Sequence, residues 1–506
     1  MQLPLGLDAN ARASLQAQIF EQVRNLIVDG RLQPGARMPA TRILASDLGV
    51  SRNTVVLAYE RLAAEGFVEM RSPIGVFVAR NVIFDSPRLP EASIASGRDG
   101  STYRDRRIVF RGESHTVAPS PDASIRYDYW VGRPDATLFP AKAWERILHQ
   151  TLQEHGPGVS AYCDPAGLLE LRRAVAQYVG VARGIRARPD QILITSGIQE
   201  ALNVLARLFI GHGTEVAVEY PCYSGAANVF TSYGARLATV NVDREGVDTS
   251  RLPADIAFIY VTPSHQFPTG ATLPVERRAQ LVDWAERAGA YVLEDDYDSD
   301  FYYDSAPLPA LKSMDETGRV VYLGTFSKSL GAGLRIGYMV LPDCLVEAAT
   351  VVKALLDNCS PWLPQKLLAE FVTSGAFAHH LRRTRTIYRD RRDCLLEVLR
   401  EHFGDLDVSG SQGGMHVMWR LPEDFPDAST IQREARRRGV GVYDLLSCNV
   451  RVRRDDHLNA RSLLLGYATL DEDAITDSIA LLANAIQDGA AECDAACPQP
   501  WQRSMA

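Results

Sequence analysis

The stretch Val320 to Pro342, VVYLGTFSKSLGAGLRIGYMVLP, decides how the rest of the chain is read. Val320, Val321, Tyr322 and Leu323 form a short apolar run that reads as a buried strand and stops at Gly324. Thr325-Phe326-Ser327-Lys328 follows as a small polar turn with a single lysine. Gly331 and Gly333 keep the chain loose as far as Arg335, and Ile336 to Leu341 is a second apolar run. A lone lysine among hydroxyls at a strand end, with an arginine nearby, suits a Schiff-base site. The amine attacks an aldehyde while hydroxyls and a guanidinium hold a phosphate. Taken alone, the same residues equally describe a solvated loop with ordinary surface charges, so the flanking chain has to decide.

Working outward, strands are expected at Gln191–Ile194, Glu215–Glu219, Ala235–Val242, Ile256–Val261 and Tyr291–Leu293, besides the two apolar runs above. Helical stretches such as Gly197–Ile210 and Val275–Ala288 separate several of them. That rhythm predicts an α/β domain with a mainly parallel sheet, whose ligands gather at the carboxyl ends of the strands. Ser196-Gly197-Ile198-Gln199 follows a strand and opens a helix, so its amides and the helix dipole can take a phosphate. Glu294-Asp295-Asp296-Tyr297 ends another strand, and Lys328 follows a third. Each piece has a plain alternative: a helix start, a solvated acidic turn, a surface lysine. Together they supply what pyridoxal 5'-phosphate needs, namely a lysine for its aldehyde, a cradle for its phosphate and a carboxylate for its ring nitrogen.

The first eighty residues are different in kind. Leu15, Ile19, Val23, Leu26 and Ile27 fall on one helical face closed by Gly30. Thr41 is placed to cap a short helix ending at Leu48, and Ser51 to cap a third helix carrying Val55, Tyr59 and Leu62 inward. Phe67–Met70 and Val76–Val78 then make a hairpin around Arg71-Ser72-Pro73-Ile74-Gly75. Three helices and a hairpin predict a winged helix-turn-helix. Residues 1–80 hold nine arginines, seven acids and no lysine, and arginine is the residue that reads guanine edges and phosphates bidentately. Arg52 and Asn53, with Thr54 behind them, sit where base edges are contacted; Arg42 and the wing around Gly75 would grip phosphate. A small helical interaction domain that touches no DNA is the other reading.

Length and composition bound the rest. A chain of 506 residues, 46% apolar and 23% charged, implies two or three soluble domains. The net charge of −8 argues against general coating of nucleic acid but not against a small basic module. Residues 81–125 are rich in Pro, Ser, Gly and charge and are expected to form a flexible linker. The domain scheme is therefore a DNA-binding head at 1–80, the linker, a large domain at 126–490 and a tail at 491–506. No signal-peptide pattern and no run of 18 apolar residues occurs, so a cytoplasmic protein without a membrane partner is expected. The eight cysteines are scattered, which suggests free thiols and neither a disulfide framework nor a metal site.

These motifs carry a family resemblance. Leu32-x-Pro34-Gly35, Met38-Pro39-x-Thr41-Arg42, Ser51-Arg52-x-Thr54 and Glu65-Gly66 resemble the GntR class of bacterial repressors. Thr262-Pro263-Ser264-His265-Gln266-Phe267-Pro268-Thr269-Gly270, EDDYDSDF and the lysine stretch resemble the class I aminotransferases of fold type I. The whole chain resembles the MocR/GabR family of regulators, which joins the two. The resemblance implies that Lys328 is the Schiff-base lysine, that Asp295 pairs with the pyridine nitrogen and that Tyr297 bonds the phenolic oxygen. It places Thr325, Ser327, Arg335 and the amides of Ile198 and Gln199 at the phosphate, and Tyr223 on the ring face. Tyr162 would reach the phosphate of the partner subunit, implying a homodimer. There are two departures: Phe267 stands where the usual motif has an asparagine, and Arg461 is the nearest candidate for the arginine that binds an effector carboxylate. The implied function is a regulator that binds operator DNA and senses the cofactor or an amine or amino-acid effector. The alternative is a working aminotransferase with an accessory DNA-binding head.

Overall fold

The computed structural model describes residues 3–8, 13–71, 73–79, 122–304 and 308–496, with side chains as far as 488. The chain forms two compact units whose boundary lies between 80 and 121, outside the described residues. Most of the expected linker and the last ten residues lie outside them as well. No helix among the described residues is long and apolar enough to cross a membrane.

In the first unit α1 (Leu15–Val28) buries Ile19, Phe20, Val23, Leu26 and Ile27, and the Ser14 hydroxyl accepts from Ala17 N at 3.3 Å to cap it. α2 (Thr41–Leu48) ends at Gly49, whose φ of +65° turns the chain into α3 (Arg52–Ala64). Val55, Ala58, Tyr59 and Leu62 of α3 are fully buried against α1. β1 (Val68–Arg71) and β2 (Gly75–Val78) pair antiparallel, with Arg71 opposite Gly75. This is the winged helix-turn-helix, with one difference of detail. Ala40, not Thr41, is the N-cap of α2, so the Thr41 hydroxyl is free to face Arg52.

The second unit is built on a sheet of eight strands. Chain order runs β3 (Tyr127–Asp128), β4 (Ile192–Thr195), β5 (Glu215–Tyr220), β6 (Cys222–Tyr223), β7 (Arg236–Asp243), β8 (Gly246–Val247), β9 (Phe258–Val261), β10 (Tyr291–Asp296), β11 (Val320–Thr325) and β12 (Gly337–Val340). In the large sheet the order is β4-β12-β11-β10-β9-β5-β7-β8. β11, β10, β9, β5 and β7 are parallel, while β12 runs antiparallel to both of its neighbours. Residues 196, 297 and 326 therefore leave the sheet at one edge, and Gly337 enters it there. β10 outlasts its apolar run because its acids are buried and each has at least one oxygen partnered. The Glu294 carboxylate accepts Leu311 N at 2.8 Å and Lys312 N at 2.9 Å, and Asp296 accepts Tyr322 Oη at 2.6 Å and pairs with Arg183 at 2.6 Å.

A smaller antiparallel sheet, β13 (Asp407–Ser409), β14 (His416–Arg420), then β17 (Ser462–Gly466), packs against the helices Ala376–Phe403 and Glu472–Ala496. Two short pairings tie it to the rest: β15 (Val440–Gly441) on β3, and β16 (Val450–Arg451) on β6. The last helix continues through 490 to Ala496.

Candidate functional site

Two sites emerge, one in each unit. In the head, the Ser51 hydroxyl accepts Thr54 N at 3.1 Å and lies 2.8 Å from Thr54 Oγ1, so the first turn of α3 is capped by its own side chains. Arg52 and Asn53 are left exposed on that turn, and Arg52 Nε points to Thr41 Oγ1 at 3.5 Å. Arg42 is exposed, with no partner among the described residues. Sequence reading missed Arg37. Its guanidinium donates to Ile74 O at 2.8 Å and lies 3.4 Å from where a Cβ on Gly75 would stand, which braces the wing tip. Only glycine fits there, at φ +132°. Arg52→Ala should reduce discrimination between operator and random duplex by roughly 1–3 kcal/mol if the contact is bidentate to guanine. Arg42→Ala should weaken every sequence alike and lower the salt dependence. Salt-titrated binding to both duplexes separates the two, and identical losses on every sequence would erase the distinction.

In the body, Lys328 sits in a single π-helical turn, Ser327–Gly331, directly after β11. Its Nζ donates to Gly132 O at 2.7 Å. Burial pulls its pKa below the ordinary lysine value, with Asp298 and Asp295 opposing, so more of the amine is neutral and nucleophilic. Asp295 lies at the end of β10, 4% exposed. Its Oδ2 accepts Tyr260 Oη at 2.6 Å, and its Oδ1 is buried with no partner. Burial raises this carboxyl to about 7, with the Tyr260 hydrogen bond pulling the other way. An unpartnered buried carboxylate oxygen costs on the order of 1–3 kcal/mol, and a ring N–H offered to it would relieve that cost.

The phosphate cradle is also in place. Gly197, at φ +99°, opens the helix Ile198–Phe209 without a side-chain cap, leaving the Ile198 and Gln199 amides free. The Arg335 guanidinium covers Gly197, where a Cβ would stand 3.1 Å from Nη2, and bonds Ser196 O. Thr325 Oγ1 donates to Ser327 Oγ at 3.0 Å and accepts Ser327 N at 3.1 Å, so both hydroxyls face the same turn. Tyr223 Oη accepts from Gln199 Nε2 at 3.0 Å, and its ring has space only because residue 225 is glycine, whose Cβ would fall 2.3 Å from it. Ile198, Gln199, Tyr223, Asp295, Tyr297, Thr325, Ser327, Lys328 and Arg335 thus gather at one edge of the sheet. Tyr162 does not join them. It is 89% exposed and has no bond or ring contact among the described residues.

Arg461 is corrected. Its guanidinium donates to Phe425 O at 2.9 Å and Leu421 O at 3.5 Å, at the start of β17, whereas the pocket end of β17 is Gly466, paired with His416. Backbone carbonyls hold it at the end of β17 opposite to Gly466 and His416, so the structure does not bring it to the residues gathered around Lys328.

Sequence reading also passed over His265 and Asp298, although both lie inside the quoted motifs. Tyr297 Oη donates to His265 O at 3.1 Å and lies 3.2 Å from His265 Nδ1, which sits 2.9 Å from Asp298 Oδ2. Burial disfavours a charged His265, but Asp298 outweighs it and holds the ring above its ordinary value. His416 packs on His265 with centroids 4.9 Å apart. A histidine thus approaches the hydroxyl of Tyr297 from beside Phe267, where the asparagine is lacking.

The residues fit pyridoxal 5'-phosphate. Lys328 would hold its aldehyde carbon, Asp295 Oδ1 its ring nitrogen, Tyr297 its phenolic oxygen, and Arg335 with the Ile198 and Gln199 amides its phosphate. When bound, the cofactor supplies an electrophile for amines and an electron-withdrawing ring.

The raised acid has a consequence for the cofactor-free protein. The unfolded chain releases the Asp295 proton near pH 4, while the folded chain keeps it to about 7. The folded state therefore binds more protons across that window, and stability falls as pH rises through it. Glu219 and Glu294, also held near 7 by burial, add to the slope. Asp295→Asn should flatten it by up to about 1.4 kcal/mol per pH unit. Urea unfolding of both proteins at pH 5 and 7 measures this, and equal slopes would contradict it.

Residues 135–462 match the family "Aminotransferase class I and II", and residues 15–78 match "Bacterial regulatory proteins, gntR family". The sequence is 33% identical to the "Probable rhizopine catabolism regulatory protein MocR" of Rhizobium meliloti, over 98% of this chain and 99% of that protein. It is 33% identical to the "HTH-type transcriptional regulator TauR" of Rhodobacter capsulatus, over 95% of this chain and 98% of that one. Among solved structures it resembles LysN, the α-aminoadipate aminotransferase of Thermus thermophilus, complexed with N-(5'-phosphopyridoxyl)-L-leucine. The TM-score is 0.65 and the identity 30%, over 73% of this chain and 94% of that chain.

Proposed function

This chain belongs to the MocR/GabR family of regulators, a gntR-type winged helix joined to a class I and II aminotransferase fold, and from that premise we propose that its body switches its head by binding an amine or amino acid at Lys328. It is a transcriptional regulator with a DNA-binding head and a body for pyridoxal 5'-phosphate. The observation that carries the sensing role is the company of Lys328. A partly buried amine of lowered pKa stands beside an unpartnered buried carboxylate oxygen, in a chain that also presents a capped and uncovered reading helix.

Arg52, Asn53 and Thr54 contact base edges of the operator, and Arg42 and the wing at Gly75 its phosphates. In the body, Arg335 and the Ile198 and Gln199 amides would anchor the phosphate, Asp295 Oδ1 would hold the ring's proton, and Tyr223 would close one face. With the cofactor bound, an amine or amino acid would enter beside Lys328, whose amine is placed to take up or give up a proton there. The protein acts as a homodimer in which Tyr162 reaches the partner's phosphate. Its 89% exposure supports this, as do the exposed apolar side chains Val351 and Leu355 on the helix Asp343–Asp357. A regulator of chromosomal operators works in the cytoplasm.

The pocket is complete enough for turnover, so a working aminotransferase is the second reading. Titrating candidate amines spectroscopically with and without operator DNA decides between them. An allosteric coupling of about 1–3 kcal/mol changes amine affinity about 5–150-fold when operator is present, and by reciprocity changes operator affinity equally. Sedimentation of the sample should give about twice the 55.8 kDa chain mass. Equal affinities in the two titrations, with steady product from an amino acid and a keto acid, would favour the enzyme.

A further inference from the structure

A cavity of about 380 Å³ opens between the first turn of the helix Ala141–His155 and the junction of the helices Trp362–Thr373 and Ala376–Phe403. Phe139 and Phe371 form an apolar wall, each 5.7 Å from the ring of Trp144. The ionisable part of the lining is all basic. Arg146, Arg383, His379 and His380 face the cavity, and no aspartate or glutamate lines it. Arg146 and Arg383 are exposed and have no hydrogen bond or ion pair among the described residues. Other arginines of the body, such as Arg183, Arg391 and Arg392, are paired. His380 is more than nine-tenths buried. Its Nε2 donates to Ser329 O at 2.7 Å, and its Nδ1 has no partner among the described residues. The two helices that start at the cavity carry neither a capping side chain nor an acid in the first turn, so their free amides add partial positive charge.

We propose that this cavity binds a small organic carboxylate with an aromatic or branched apolar body, at a place separate from the lysine pocket. Unpaired guanidinium groups beside an apolar wall, without a carboxylate to answer them, lack an anion of mixed character. The volume suits a small molecule and is too tight for a helix or a duplex. The chain's own segment 80–121 is a poor occupant, since it carries seven arginines against five acids. Occupancy reaches the cofactor through one hydrogen bond: His380 holds the carbonyl of Ser329, the neighbour of Lys328, inside the lysine's own turn. A carboxylate on Arg383 and His380 favours the protonated imidazole and tightens that bond.

The test uses full-length, cofactor-loaded protein with 4-fluorophenylacetate as probe, followed by fluorine NMR, and 4-fluorophenylacetamide as its neutral counterpart. The acid should bind and the amide should bind at least about tenfold more weakly, given what a hydrogen bond to a charged group contributes. Arg146→Ala with Arg383→Ala should weaken the acid by about tenfold or more, while Arg146→Lys with Arg383→Lys keeps most of the affinity and controls for folding. Lys328→Ala should bind the probe as the wild type does, which separates this site from the lysine pocket. The probe should also shift the cofactor's absorbance in the wild type and not in His380→Asn. Equal binding of acid and amide, no binding into the millimolar range, unchanged binding by the double alanine variant, or loss in Lys328→Ala alone would each overturn the proposal.

Discussion

Lys328→Ala should purify colourless and stay so after incubation with excess pyridoxal 5'-phosphate and removal of the free compound, whereas the wild type is yellow. The anchoring contacts at Arg335, Ser327 and the Ile198 and Gln199 amides survive in the variant, so weak and reversible binding remains. What disappears is the covalent hold, and with it the long-wavelength band. The substitution should not unfold the body. Among the described residues the one hydrogen bond of Nζ is to Gly132 O, and burial already works against the charged amine. Unfolding of the cofactor-free variant should therefore lie within about 1.5 kcal/mol of the wild type, the usual net worth of one hydrogen bond. Absorbance and denaturant midpoint are measured on the same preparation. A variant that keeps the band would move the anchor to another residue, and a large fall in the midpoint would mean that colour was lost through folding.

The sequence exposed the lysine, the phosphate turn and the DNA-reading helix because each breaks a local pattern. A lysine interrupts two apolar runs, a glycine precedes a helix, and a serine caps one. What stayed hidden was long-range. Glu294-Asp295-Asp296 reads equally as a solvated acidic turn, and nothing local says that Tyr260, Tyr322 and Arg183 arrive from other elements to bury those acids in a strand. Arg461 misled for the same reason: it precedes the last strand, but the end of that strand facing the pocket is the other one. Arg37 and His265 are ordinary letters until the wing tip folds back to within 2.8 Å of one and Asp298 comes to 2.9 Å from the other. Thr41 was misplaced by a single residue, within the ordinary spread of a helix end.

Gly414→Ala should cost about 2–4 kcal/mol, against about 1 kcal/mol for Gly289→Ala, although both glycines have nearly the same backbone. Gly414 has φ +75° and Gly289 φ +66°, so a side chain meets the same left-handed penalty at either. The difference is space. A Cβ on Gly289, at the end of the helix Val275–Ala288, meets nothing within 4 Å. On Gly414 it would fall 2.3 Å from His265 Cε1, 2.5 Å from His265 Nδ1 and 2.6 Å from Asp298 Oδ2. The backbone cannot retreat, because Gly414 N donates to Phe301 O at 2.7 Å and Gly414 O accepts the Tyr303 and Tyr467 hydroxyls at 2.6 and 2.9 Å. Relief therefore has to come from the His265–Asp298 pair, and through it from the hydroxyl of Tyr297. Three measurements follow from this geometry. Urea midpoints should rank the two alanine variants as stated. In a His265→Ala background the cost of Gly414→Ala should drop, leaving the backbone term and the contact with Asp298 Oδ2, a coupling that a double-mutant cycle isolates. The cofactor absorbance should shift in Gly414→Ala and not in Gly289→Ala, because only the first disturbs a group that bonds Tyr297. Equal costs at the two glycines, or an undiminished cost without the imidazole, would show that His265 gives way freely and does not position Tyr297.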